Sequence, residues 1–432
     1  MTAEVAILNR EAVAIAADSA ATVSDQTGQK VFSSANKIFS LSKHHPVGIM
    51  IYGNAIFMGV PWETIIKLFR KNLGDNKKDS LFEYGEAFID FLKNGEQLFP
   101  KKEQEKYIRG CVYGFFLELR NRIIEQIEDV IEKEGSINQN TIRKIASEIV
   151  SIANVQWTTG HCIVKNTDSV IDEFLKEYGD IFNTATSEVF EKIPLSAKSK
   201  NVLNTIASKL FICFPEGIIN SGLSGVVISG FGEKEIFPSI VSYSIEGIAN
   251  NILKYRKDGE NNIDYDNSAM IQPFAQMEMV RTFIDGISPV FQDLYHDLIY
   301  ETIENYPEII VNAFAGESDI KEKDKAIKTI KKISKDNFND GIERIKLIQF
   351  QHFVEPILKV VTFLPKNELA EMAESLVNLT CLRKKISMDD ETVGGPIDVA
   401  VISKGDGLIW IRRKHYFEPE MNRHFFVNYL NK

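Results

Sequence analysis

A threonine directly after the initiator methionine concentrates more chemistry in one residue than any other position of this sequence. A threonine hydroxyl is a poor nucleophile at neutral pH and needs a base beside it. At a free chain end the residue carries its own base. An unperturbed α-amino group has a pKa of about 7.7–8.0, so much of it is neutral at working pH. Thr2 is small enough for methionine aminopeptidase to remove Met1, which would expose that amine without a propeptide. On its own a Met-Thr start is usually just the beginning of an edge strand, so the surrounding pattern has to decide.

Other chemistries fit less well. Cys111, Cys162, Cys213 and Cys381 are far apart and form no CxxC pair. That argues against a zinc site or redox dithiol and for reduced, partly buried thiols. The seven histidines are scattered, and His44-His45 reads as a surface turn pair rather than a metal site, so no metal is expected. Asp18 and Asp390 would be an acid–base couple only if the fold set their separation. Ser221-Gly-Leu-Ser-Gly225 is not a GxSxG elbow. There is no Walker motif and no dinucleotide loop, so no cofactor and no ATPase activity of its own are expected.

The elements that must position such residues follow from the rest of the chain. Its 432 residues are 44% apolar and 25% charged, ordinary for a globular protein and enough for two domains or one domain with large insertions. A net charge of −10 argues against a nucleic-acid partner. No apolar run approaches the ~18 residues of a membrane helix. Glu4, Arg10 and Glu11 interrupt any signal-peptide core, so a cytoplasmic location is expected. Val5, Ile7, Val13 and Ile15 alternate around Asn9-Arg10 as a hairpin, and Val47–Tyr52 reads as a strand closed by Gly53. A helix opens at Pro61-Trp62-Glu63. Helical periodicity then dominates from about Lys77 to Phe214 (Phe82–Leu92, Tyr107–Lys133, Asn140–Val155). Strand text returns at Gly225–Ser229 and Pro238–Ser244. Helices resume near Gln276, and Glu317–Lys335 reads as a solvated helix face or loop. A last hairpin runs Ile397–Ile402, Lys404–Gly407, Leu408–Ile411. Antiparallel hairpins at both ends and in the middle suit an α+β plan of two packed antiparallel sheets flanked by helices.

Three stretches in this order resemble proteasome β-subunits and the related peptidase rings of bacterial two-component proteases, which are N-terminal-nucleophile (Ntn) hydrolases. The first runs from Thr2 through Ala-Ile-Ala-Ala-Asp18-Ser-Ala-Ala-Thr22 and Asn36-Lys37-Ile-Phe39 to Gly53. The second is Val226-Val-Ile-Ser-Gly-Phe and Pro238-Ser-Ile-Val-Ser-Tyr-Ser-Ile-Glu-Gly247. The third is Gly394-Gly-Pro-Ile-Asp-Val-Ala-Val-Ile402. Together they cover roughly 150 residues by count, in a chain about twice the usual length for the family.

The resemblance implies a four-layer αββα sandwich and threonine-type hydrolysis of a peptide or amide through an acyl-enzyme. It implies Thr2 as nucleophile, Lys37 as the lysine that favours the neutral amine, and Asp18 as the carboxylate that orients it. Gly53 would supply an oxyanion-hole N–H, and Asp390 keeps the family's aspartate. Thr22 and Ala55 would pair with an extended substrate, and Ala21, Ala35 and Ile51 would line a small or apolar side-chain pocket. Departures are specific. Lys37 lies three residues late from Asp18, and the Lys37–Gly53 interval is about two residues long, with His44-His45-Pro46 in the extra turn. The family's Gly-Ser-Gly turn reads here as Ala269-Met270-Ile271, and its second serine is Val393. The expected core is residues 1–75, 216–304 and 364–432, with helical insertions at 76–215 and 305–363. Partners implied are a peptide or protein substrate, a homo-oligomer and an ATP-dependent unfoldase, with no nucleic acid or membrane. The alternatives are a catalytically weakened scaffold that binds a partner through its helical insertion, and a specialised amidase or transpeptidase.

Overall fold

The computed structural model describes residues 2–25, 28–95, 97–215, 222–314, 320–387 and 393–430. Met1, Ser221, Asp390 and the start of the 317–335 charge run lie outside them. Strands β1 (Ala3–Asn9) and β2 (Ala12–Ala17) form the opening hairpin. A side hairpin, β3 (Ala21–Asp25) and β4 (Gly28–Phe32), precedes β5 (Ile38–Ser40) and β6 (Val47–Gly53). Then come the short pair β7 (Ile56–Phe57) and β8 (Val60–Pro61) and helix α1 (Trp62–Leu73). Five helices follow: α2 (Leu81–Lys93), α3 (Lys101–Glu134), α4 (Gln139–Thr159), α5 (Thr167–Val189) and α6 (Ala197–Lys209). Two-residue strands β9 (His161–Cys162) and β10 (Cys213–Phe214) are set among and after them. The chain continues with β11 (Ser224–Gly230), β12 (Ser239–Ala249), β13 (Ile252–Asn262) and β14 (Ala269–Ala275). Helices α7 (Glu278–Asp285), α8 (Pro289–Phe314), α9 (Ile320–Gln349), α10 (Glu355–Val361) and α11 (Lys366–Ile386) lead to β15 (Asp398–Ser403), β16 (Gly407–Arg412) and α12 (Arg423–Leu430).

The architecture is mixed α+β with two main antiparallel sheets, ordered β14-β1-β2-β15-β16 and β13-β12-β11-β6-β5. Alternation decides what lies on each face of the first sheet. Ala6, Leu8, Val13, Ile15 and Ala17 meet Met50, Val227 and Ile240 of the second sheet, whereas Val5, Ile7, Ala12, Ala14 and Ala16 meet α7 and α11. The small residues of β2 let a strand be covered closely on both faces. On the far side of the second sheet, Ile49, Ile51, Val226 and Tyr243 pack under α1 and α2. The opening turn is fixed by Asn9, whose Oδ1 accepts from the amides of Glu11 (3.0 Å) and Ala12 (3.1 Å). Its side-chain amide donates to Val361 and Leu364 carbonyls at 3.1 and 2.9 Å.

Helices α3 to α6 make a separate core around Phe116, Trp157, Phe174, Phe182 and Phe211. Its base is stitched by β9 and β10, where Cys162 lies opposite Cys213 and the two form a disulfide. This corrects the expectation of four reduced thiols. The 51-residue gap between the two cysteines is closed by a pairing that no local sequence signal announces; Cys111 and Cys381 are free. His45 is also corrected: it is buried beside Tyr84 rather than on the surface, while His44 is half-exposed and meets Asp75 at 3.0 Å. The charge run sits in α9, where Lys331 and Lys335 pair with Glu304 of α8. Val290, Leu294 and Leu298 recur on α8 at helical spacing, each more than half exposed. Among the described residues, no helix is long and apolar enough to cross a membrane.

Candidate active site around Thr2

Thr2 leads into β1 and is 4% exposed. Its carbonyl accepts the amide of Gln276 at 3.0 Å, just past β14. One residue on, the amide of Ala3 donates to Asp18 Oδ1 at 3.0 Å, and the Asp18 amide returns to the Ala3 carbonyl at 3.1 Å. Asp18 ends β2 with no exposed surface. It accepts the Lys37 ammonium on the same Oδ1 at 2.6 Å, and on Oδ2 the amides of Ala20 (3.1 Å) and Gly394 (2.9 Å). Three backbone amides and one ammonium satisfy this buried carboxylate, which makes an otherwise costly charge tolerable. The same oxygen holds Ala3 and Lys37 together.

Lys37 is 6% exposed and anchored through its carbonyl, which accepts the Ile51 amide at 2.9 Å. A lysine ammonium has three donors. Among the described residues Asp18 is the partner this one has, so two N–H bonds are uncommitted. The β3–β4 hairpin lies between Asp18 and Lys37, and the β5–β6 turn lies between Lys37 and Gly53. Gly53 closes β6 with φ +80°, and a Cβ there would lie 2.3 Å from the Leu223 carbonyl oxygen, so the backbone admits only glycine.

The remaining predicted residues divide. Thr22 lies in β3 opposite Val31, and Ala55 accepts the Trp62 amide at 3.2 Å through its carbonyl. Ala21 and Ala35 are partly exposed near Ser19, whose carbonyl takes the Ala35 amide at 3.0 Å. Ile51 is buried under α1 and α2. Asp390 lies outside the described residues, but the segment after it reaches the site through Gly394, and Val393 is buried against the α11 side. The segment Ala269-Met270-Ile271 is corrected: it lies inside β14, with Ala269 opposite Asn9 at the far end from Thr2. The turn that leads into a helix beside Thr2 is Ala275-Gln276-Met277, with Ala275 at φ 59°. Ser268 pairs with the Thr362 hydroxyl at 3.0 Å, away from the site.

Sequence reasoning missed Glu4. It is fully buried in phase with Ala6 and Leu8, on the intersheet face, and neither carboxyl oxygen has a hydrogen-bond partner. Burial pushes its pKa up to about 8, against a pull from Lys37 and with a push from Asp18. The signal was available as a carboxylate in the same alternation as the buried row. Cys381 of α11 is a further group that feels Asp18 and Lys37; burial raises its thiol to about 11.

A cavity of about 800 Å³ opens beside the Gly53 turn, between Asn54–Gly59 and helices α3 and α4. Tyr107, Phe115 and Trp157 wall it, with Glu103, Lys106, Glu118 and Arg122 as charged groups; Thr2, Asp18 and Lys37 are not in its lining.

No family model matches the chain, and no curated protein matches its sequence. Among solved structures, a Gly-1 mutant of Anbu from Hyphomicrobium sp. strain MC1 aligns over 100% of this chain and 95% of its own. Sequence identity over that alignment is 10% and the TM-score is 0.25. An overlap that low adds nothing to what the site's own geometry supports.

Proposed function

We propose that the chain is a threonine-type Ntn hydrolase of four-layer αββα build, acting on a peptide or amide bond once Met1 is removed. The observation that carries this reading is the shared Asp18 Oδ1, which ties the Ala3 amide to a buried Lys37 ammonium with two uncommitted donors. In the proposed reaction the Thr2 amine takes the proton of the Thr2 hydroxyl, whose oxygen bonds to the substrate carbonyl carbon. The carbonyl electron pair moves to oxygen, where Lys37 and the Gly53 N–H stabilise it. Collapse breaks the C–N bond, the leaving amine takes the proton back, and water then cleaves the acyl ester by the reverse traffic. Ala21, Ala35 and Ile51 as pocket residues, Thr22 and Ala55 as strand-pairing positions, and Asp390 as a supporting carboxylate belong to the same proposal. So do the inserted helical segments, the cytoplasmic site of action, the homo-oligomer and the unfoldase partner.

A β-lactone or epoxyketone probe followed by mass mapping of the adduct tests it. A label on Thr2 that is lost in Thr2→Ala supports the reading, and a native N-terminus that retains Met1 refutes it. A second reading, a weakened scaffold, is favoured by two observations. Val393 puts an alkyl group in a core where the family has a hydroxyl, and α8 presents the exposed row Val290, Leu294, Leu298. Under that reading the probe labels nothing although Met1 is gone.

A further inference from the structure

Glu4 is a fully buried carboxylate beside this centre that the hydrolase scheme leaves without a task. It stands two residues from Thr2 on β1, opposite Ala17 of β2 and Phe274 of β14. Those flanking strands, Ala12–Ala17 and Ala269–Ala275, bring no titratable group to it. From the rest of the centre Lys37 and Asp18 face it, and from β6 comes Tyr52, whose phenol is pushed up by burial, by Asp258 and by Glu4 itself, against Arg256. The Tyr52 ring fills the space over Gly225, where a Cβ would come within 1.9 Å of it, and stacks on Phe274 at 6.0 Å. Glu4 is thus buried between strands with two bare oxygens, and Lys37, whose charge acts on it, has two uncommitted N–H bonds.

Resting on the hydrolase reading above, we propose that Glu4 is a positioning residue that governs access to the Lys37 ammonium. As the neutral acid it leaves the uncommitted N–H bonds of Lys37 to the substrate oxyanion. As the carboxylate, after its proton passes to solvent, it draws the same N–H bonds to itself and competes with the oxyanion. The burial that holds Glu4 protonated to about pH 8 sets where this exchange occurs. The Thr2 amine becomes a competent base over much the same range, at about 7.7–8.0 if unperturbed. Two opposed titrations produce a bell-shaped rate profile, with Glu4 as the alkaline limb.

The test is the rate of Thr2 acylation by a β-lactone, followed by mass spectrometry across roughly pH 6 to pH 10, for the full chain, Glu4→Gln and Glu4→Asp. The expected wild-type rate rises and then falls. Glu4→Gln rises to a plateau and exceeds wild type about tenfold at the alkaline end. Glu4→Asp, which keeps a carboxyl, restores the fall. An unchanged alkaline limb in Glu4→Gln overturns the proposal, as does a folded Glu4→Gln that is unlabelled at every pH. If Glu4→Gln does not fold, loss of the fall in Glu4→Asp overturns it. Wild-type protein that never labels at Thr2 defeats the hydrolase reading itself, a result separable from the other failures.

Discussion

Two buried lysines pair with carboxylates in this molecule, and their surroundings differ. Lys254 of β13 meets Glu246 at 2.6 Å, donates to the Leu210 carbonyl at 2.7 Å, and lies over the Trp157 and Phe214 rings at 5.4 and 4.8 Å. That ammonium sits at the joint between the second sheet and the helical cluster, with two of its three donors committed. Burial lowers its pKa, and Glu246 opposes the shift. The carboxylate facing Lys37 is held by three backbone amides besides, and Lys37 commits one of its three donors where Lys254 commits two. The proposed hydrolysis would give the spare donors of Lys37 a use.

The sharpest way to break this contrast is to remove each cation. Lys254→Met takes from Glu246 the ammonium it meets at this joint and is expected to destabilise the fold by about 3–5 kcal/mol in urea unfolding. Its acylation rate, measured on the folded fraction, should match wild type. Lys37→Met should do the opposite, because the three amides still hold Asp18. The expected loss is about 10²–10³-fold in Thr2 labelling, with a smaller change in unfolding free energy than Lys254→Met shows. If both variants lose stability alike and neither affects labelling, the distinction between the pairs is wrong.

Cys162–Cys213 clamps the helical side of the Lys254 joint. Reduction, or Cys162→Ser with Cys213→Ser, should cost roughly 4 kcal/mol of stability by releasing a loop of 51 residues' separation. Labelling of Thr2 should persist, since the site's hydrogen bonds lie in the sheets. The smallest expected effect belongs to Glu4. Its folded pKa of about 8 is above the reference 4.5, so the folded state holds its proton more tightly. The associated stability is fully present below the unfolded pKa and is lost as pH rises toward 8. Between pH 5 and pH 7 wild type should lose on the order of 2 kcal/mol relative to Glu4→Gln, read as the difference in unfolding midpoints.

Much of this was legible in the sequence, and the rest was hidden for physical reasons. Alternation exposed the hairpin β1–β2 and strands β6 and β15, because each buries whole apolar faces, while β16 was legible from its turn and its pairing text although none of its residues is buried. Strand β13 went unread: LKYRKDGENN has no apolar period, and it is a strand because it pairs along β12, at the edge of its sheet. The order Thr2, Asp18, Lys37, Gly53 was readable as a pattern, but that one carboxylate oxygen serves both residue 3 and residue 37 is a property of the packed sheets. Glu4 read as a charge that spoils a leader sequence, because a carboxylate is nearly always solvated and only tertiary closure removes its water.

The clamp on the first residues has a practical reach. Thr2 is nearly inaccessible, with its carbonyl held by Gln276 and its neighbour's amide held by Asp18. An affinity tag fused upstream would block the amine as surely as a retained methionine. Recombinant material should therefore be purified through a handle at the other terminus, beyond α12, where Arg423, His424 and Val427 are exposed. An inactive preparation tagged at the front would say nothing about the proposed hydrolysis.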